Sequence, residues 1–289
     1  MKKVFLAVAA MAMLATACTK DDAVSGGNDS LVSFTIDSPE LMTRAEDGKG
    51  QSTNHLQYAF YDENGVILPA LSGEVTNFVG STKINISLVE GRTYSAIFWA
   101  DHTDAPYEVS LENKTMEITS TTLAGNADKY DAFYKFEANI KPEKKTHKIE
   151  LTRPFAQINI ATADTEKAKK AGVEVATSEV AVVEGYKTLS LVDGEVSNKA
   201  EFTFSAADLP DEPATVEVGG KTYDMLAMNY VLVNARELVD VTLRMSEAYT
   251  DGQTDAATDL VRTYTTVPVQ RNYRTYIVGN LLTTQNDFT

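Results

Sequence analysis

The chain is poor in the side chains on which most catalysis and most small folds depend. Its 289 residues include one Cys, one Trp and three His. A single Cys excludes an intrachain disulfide framework and a cysteine-based zinc site. His55, His102 and His147 show neither His-x-x-x-His nor His-Glu-x-x-His spacing, so no helical metal pair is written into the sequence. Positive charge is also scarce, with 26 Lys and Arg against 41 Asp and Glu and a net charge of −15. Without excess cations to displace counterions from phosphates, nucleic acid is excluded as a partner. The apolar run Val4 to Leu14 is too short to cross a bilayer, which takes about 20 residues. What is present describes a globular chain: 43% hydrophobic and 23% charged residues, enough to fill a core. Its length fits roughly two domains of about 100 to 200 residues each.

The N-terminus carries an address. Lys2 and Lys3, the apolar run, and the small residues Ala15, Thr16 and Ala17 before Cys18 follow the order of a secretory signal. The one Cys stands where a bacterial lipoprotein signal places its lipidated residue. Leu14-Ala15-Thr16-Ala17-Cys18 resembles a relaxed lipobox, with Ala15 where the stricter pattern has Leu. Residues 1–17 are therefore expected to be a signal peptide and Cys18 to carry acyl chains such as palmitate, each buried methylene holding the protein to a membrane with about 0.8 kcal/mol. Thr19-Lys20-Asp21-Asp22 resembles the export tag of surface-exposed lipoproteins, and the polar residues 18–30, with Gly26-Gly27, read as a flexible tether. Loss of Lys2 and Lys3 leaves −17, which suits a body standing off a membrane rather than lying on anionic lipid.

From Leu31 the dominant signal is a period of two. Lys83 to Leu88 and Val239 to Met245 alternate apolar and polar residues as half-buried strands do. Tyr94 to Trp99, Tyr130 to Phe136 and Leu226 to Val233 are rich in apolar and β-prone residues throughout and read as central strands. Asn64-Gly65, Asp193-Gly194 and Gly219-Gly220 supply the positive φ of tight hairpins. Only Asp164 to Ala171, with Asp164 or Thr165 as cap and Gly172 after it, reads as helix. Many short strands with turn signals about every ten residues predict an all-β chain of two tandem β-sandwiches. Pro154, which lacks a donor and biases Arg153 to an extended conformation, marks the expected boundary between domains at 31–153 and 154–289.

Chemistry is thinly represented. No Gly-x-Ser-x-Gly elbow is present, no cofactor motif appears, and the chain reads as non-enzymatic. Asp251, Asp255 and Asp259 are the best metal candidates, but they lack the spacing and terminal Glu of an EF-hand; a solvated acidic hairpin loop fits them better. Trp99, in Ala96-Ile97-Phe98-Trp99-Ala100, fits a core position rather than a glycan platform.

Three further segments, taken in order, carry a resemblance. They are Thr43-Arg44-Ala45-Glu46-Asp47, Leu151-Thr152-Arg153-Pro154-Phe155-Ala156-Gln157-Ile158-Asn159-Ile160, and Asn272-Tyr273-Arg274-Thr275-Tyr276-Ile277-Val278-Gly279-Asn280-Leu281-Leu282-Thr283. With the lipobox, they make the chain similar over nearly its whole length to the fimbrillins, lipoprotein precursors of type V pili. The resemblance implies transthyretin-like sandwiches, and cleavage between Arg44 and Ala45 by an arginine-specific protease. It also implies replacement of the first strand by one from another fimbrial subunit. In Leu31-Val32-Ser33-Phe34-Thr35-Ile36, the side chains Val32, Phe34 and Ile36 share one face. Their burial is worth about 5–9 kcal/mol at 1.5–3 each, so an emptied groove would be a strong acceptor. The tail after Leu282, with Phe288 as its one apolar residue, is poorly equipped to donate a strand, which fits a tip or terminal subunit. The alternative is a monomeric surface lipoprotein binding a glycan or a host protein with the first strand retained.

Overall fold

The computed structural model describes residues 29–38, 52–143, 145–247 and 259–283. In chain order the first strands are β1 (Asp29–Asp37), β2 (His55–Tyr61), β3 (Gly73–Thr76), β4 (Ser81–Val89) and β5 (Tyr94–Asp101). Three short strands follow, β6 (Tyr107–Ser110), β7 (Thr115–Ile118) and β8 (Thr122–Ala124), and then β9 (Phe133–Ile140) and β10 (Thr146–Glu150). The second half comprises β11 (Phe155–Thr162), α1 (Thr165–Lys170), β12 (Val175–Ser190), β13 (Val196–Asp208), β14 (Thr215–Val218), β15 (Lys221–Leu232), β16 (Arg236–Glu247), β17 (Leu260–Gln270) and β18 (Arg274–Gly279). The chain is all-β, as its period of two predicts.

Four sheets form two sandwiches. In the first, β10-β1-β4 faces β3-β2-β5-β9; in the second, β14-β15-β11-β18 faces β17-β16-β12-β13-β8. Alternation places side chains as expected: Ile84, Ile86 and Leu88 of β4 are buried between exposed neighbours, and so are Val239, Val241, Leu243 and Met245 of β16. Gly219 and Gly220 both take positive φ and close the hairpin from β14 to β15, where Val218 pairs with Lys221. Gly65 also takes positive φ, and the Asp62 carboxylate accepts from the N–H groups of Asn64 at 2.9 Å and Val66 at 2.8 Å.

In the sheet β3-β2-β5-β9 the central strands β2 and β5 are covered on both faces. Leu56, Phe60 and Phe98 point into the first core, while Ala59, Tyr61, Ile97 and Trp99 belong to the second. This explains the apolar run around Trp99, whose indole N–H donates to Asp101 at 2.8 Å and whose ring stands edge-on to Tyr107 at 5.9 Å. The sandwiches also share strands across the expected boundary. Pro154 lies between β10 and β11, yet β7 pairs with β12 over Thr115–Glu117 and β8 pairs with β13 over Thr122–Ala124.

A buried ion pair lies at this junction. Arg153 donates through Nε and Nη2 to the two Asp131 oxygens at 2.5 and 2.6 Å, and both side chains are almost wholly enclosed. The guanidinium lies 5.0 Å from the Phe133 ring and 5.8 Å from that of Tyr230. Burial pushes the Asp131 carboxyl up to about 6 against the opposing pull of Arg153. Tyr230 OH donates to Asp128 at 3.0 Å and accepts from Gln157 at 3.0 Å, tying β15 and β11 to the turn before β9.

One local expectation is corrected. Asp164 occupies the cap position of α1, but its side chain makes no cap bond. It accepts instead from the Thr162 hydroxyl, from the N–H groups of Leu282 at 3.3 Å and Thr283 at 2.8 Å, and from Thr283 Oγ1 at 2.7 Å. Fastening residues 281–283 satisfies more donors than one helix N–H would. Burial alone would raise the Asp164 carboxyl, but these bonds outweigh it and hold it below the usual range.

Candidate functional site: the seat of the first strand

The first strand is β-prone, alternating and free of Pro and Gly, so it fits a pleated and half-buried position. It does not lie on an edge. It pairs antiparallel with β4 along its whole length, Asp29 opposite Val89 and Asp37 opposite Ser81, and parallel with β10 from Ser33–Thr146 to Asp37–Glu150. Both of its backbone edges are therefore occupied from Ser33 onward, and among the described residues it alone joins β4 to β10 in their sheet.

Val32, Phe34 and Ile36 are each 0% exposed, whereas Leu31 on the opposite face is 64% exposed. The Phe34 ring stands edge-on to Phe60 at 5.2 Å and tilts against Phe98 at 6.3 Å across the sandwich. On its flank it stacks on the His147 ring at 5.1 Å. Polar bonds fix the register: at the sheet surface Ser33 Oγ donates to Asn85 Oδ1 at 2.7 Å and Ser81 Oγ to Asp37 Oδ1 at 2.6 Å, while the buried Ser30 Oγ donates to Glu90 at 3.0 Å. Beyond the strand, Leu151 N–H donates to Asp37 O at 2.9 Å and Ser38 N–H to Gly80 O at 2.8 Å.

The site is a groove between β4 and β10, floored by the opposing sheet and filled by three side chains of alternating spacing. Main-chain donors and acceptors of β4 and β10 lie on its two sides and apolar pockets lie below, and β1 fills them with a matching pattern.

The sequence pointed to Val32, Phe34 and Ile36, and the structure brings them together. Cys18, Arg44, Ala45, Asp251 and Asp255 lie outside the described residues. Asp259 is described: it accepts from Arg244 at 3.0 Å and Ser246 at 3.3 Å. Among the described residues no group of acidic, His or Cys side chains is arranged to hold a metal ion.

The three His do not converge. His55 lies between Glu74 and Asp101, at 3.2 and 3.4 Å, and His102 accepts from Asp104 N–H at 3.0 Å. His147 is the residue that sequence reasoning missed, since only its spacing from the other two His was read. It is a strand residue whose Nε2 is buried without a partner among the described residues. Burial, with Lys145 adding to it, holds its ring below the ordinary value. Its place was legible only in the alternation of His147 with Ile149 in Thr146-His147-Lys148-Ile149-Glu150.

Residues 25–289 match DUF6562, a family of unknown function. The chain belongs to that family. Comparison with curated proteins returns no match. Among solved structures, this DUF6562 chain is similar to a candidate cell adhesion protein from Bacteroides ovatus, at 11% identity and a TM-score of 0.50 over 87% of this chain and 92% of that one. At such identity the likeness is one of fold. It is also similar to the tip fimbrial protein Mfa3 from Porphyromonas gingivalis, at 9% identity and a TM-score of 0.47 over 87% of this chain and 94% of that one. The fimbrial anchor protein Mfa2 from the same organism matches at 12% identity and a TM-score of 0.45, over 75% and 78%.

Proposed function

We propose that this chain is a non-enzymatic subunit of a surface fimbrial or adhesive assembly. In this reading Cys18 anchors it by lipid to the outer membrane, an arginine-specific protease cuts between Arg44 and Ala45, and a strand from a neighbouring subunit replaces β1. The observation that carries the reading is the seat of β1. An N-terminal strand with both edges paired and three wholly buried side chains leaves, on removal, a preformed groove with two open backbone edges. The cell adhesion role for which the Bacteroides ovatus protein is named belongs to the same class of function.

The test is digestion of the form beginning at Thr19 with an arginine-specific protease, followed by mass spectrometry and light scattering. The expected outcome is a new N-terminus at Ala45, loss of β1, and capture of an added peptide with the sequence of residues 31–37. An uncut Arg44, or a cut product that keeps β1 and refuses every alternating apolar peptide, overturns strand exchange. It would leave a monomeric lipoprotein that binds a glycan or host protein.

A further inference from the structure

A second feature lies in the other sandwich and is independent of strand exchange. Where α1, the start of β12, the loop after β13 and the start of β15 meet, they enclose a cleft of about 400 Å³, within the size range of ligand sites. Val173, Met225, Leu226 and Leu282 give it an apolar lining. Its walls are held by backbone bonds from Leu209 N–H to Ala176 O at 2.8 Å and from Met225 N–H to Ala214 O at 2.8 Å. Pro210 and Pro213 stiffen the connecting loop that forms one side.

Its charge is unbalanced. Glu174, Asp208, Asp211 and Asp224 line it with one cation, Lys169. None of the five makes an ion pair or side-chain hydrogen bond among the described residues, whereas elsewhere on the surface Asp259 pairs with Arg244 and Glu117 with Lys187. The four carboxylates are spread around the cleft and form no metal-binding group among the described residues, so a single divalent ion is a poor match. Thr165, whose Oγ1 is buried without a partner among the described residues, also lines the cleft.

We infer that this cleft binds a short segment of a partner polypeptide in which Lys or Arg residues alternate with apolar ones. Separated cations would meet the dispersed carboxylates while the intervening side chains entered the apolar floor; low-dielectric walls focus the field of the acids into the opening. A simple monoamine would engage one carboxylate and leave the floor empty.

The experiment measures fluorescence anisotropy of a labelled Lys-Leu-Lys-Phe-Lys peptide with the full mature chain. Two charge-matched double variants are compared, D208N/D224N in the cleft and E108Q/E112Q on an exposed hairpin remote from it. The expected result is an affinity at least about fivefold lower for D208N/D224N, the loss of two modest rim pairs, with E108Q/E112Q unchanged. A Lys-Ser-Lys-Ser-Lys peptide should bind more weakly than the apolar one, and Ala176→Phe, which fills the floor, should abolish the difference between the two peptides. Equal loss in both double variants, or equal binding of both peptides by the unaltered chain, would overturn the proposal and reduce the effect to attraction by overall negative charge. Both double variants change exposed or half-exposed carboxylates, so their melting temperatures should match the unaltered chain and the comparison does not depend on Ala176→Phe folding.

Discussion

Replacing Phe34 by Ala tests whether the first strand is held by its core face. The ring is 0% exposed and touches three others, Phe60, Phe98 and His147, at 5.2, 6.3 and 5.1 Å. Loss of transfer energy accounts for about 1.5–3 kcal/mol, and the aromatic contacts add about 0.5–1.5 for a pair. The rigid β2 and β5 floor cannot collapse into the void, which brings the total to about 3–5 kcal/mol, the usual cost of Phe to Ala in a core. With a urea slope of about 3 kcal/mol/M, the midpoint should fall by about 1–2 M. The matched control is Leu31→Ala, three residues away on the same strand but 64% exposed, where a change within about 0.5 kcal/mol is expected. Urea unfolding followed by Trp99 fluorescence reads both variants in one assay, because the sheet that holds Trp99 also floors the first core. Equal shifts for the two variants would refute the reasoning, since they would mean that the strand's core face contributes no more than its solvent face.

Three further outcomes are expected. Asp131→Asn should destabilise the chain by about 3–5 kcal/mol by removing the buried carboxylate that neutralises Arg153, and thermal melts should show most of that loss recovered when Asp131→Leu is combined with Arg153→Met. His147, faced by Phe34 on β1, Glu137 on β9 and the nearby Glu143 and Lys145, has a ring held below its ordinary 6.5; the unfolded chain therefore takes up the proton first. Stability from this group is full above pH 6.5 and is lost as pH falls below it through the lower folded value, and His147→Phe should remove that part of the pH dependence in urea titrations. Asp164 is held below its ordinary 3.8, so its contribution is present above that pH and is lost as pH falls through the folded value; Asp164→Ala should open residues 281–283 to carboxypeptidase at neutral pH.

The strands that alternate strictly were legible. Val32, Phe34 and Ile36 declare one buried face because a period of two leaves no other placement for them, and the same holds for β4 and β16. The Gly-Gly hairpin was legible for a related reason, since few residues tolerate two successive positive φ values. By contrast, β6, β7 and β8 are three or four residues long and mixed in polarity, and the partners of β7 in β12 and of β8 in β13 are selected by open sheet edges rather than by any local signal. Asp131 and Arg153 are common residue types whose pairing exists only in three dimensions. Asp164 was placed correctly at the start of α1 but given the wrong partner, because its competitors Thr162, Leu282 and Thr283 include residues 118 and 119 positions away. Of the candidate site, the filling was readable and the walls were not: β10 with His147 is a five-residue strand whose parallel pairing with β1 has no local cause.

The sharing of strands across the two sandwiches has a consequence for how the molecule is made. As the chain emerges from the ribosome, residues 107–124 are complete long before β12 and β13, the strands they join, have been synthesised. The face of Ala59, Tyr61, Ile97 and Trp99 belongs to a core completed only by residues after Pro154. The first half therefore cannot finish folding on its own during synthesis, although the groove of β1 is assembled entirely from residues before Pro154. Nascent chains halted near residue 160 should hold a protease-sensitive hairpin at residues 107–124, which chains extended past β13 should lose.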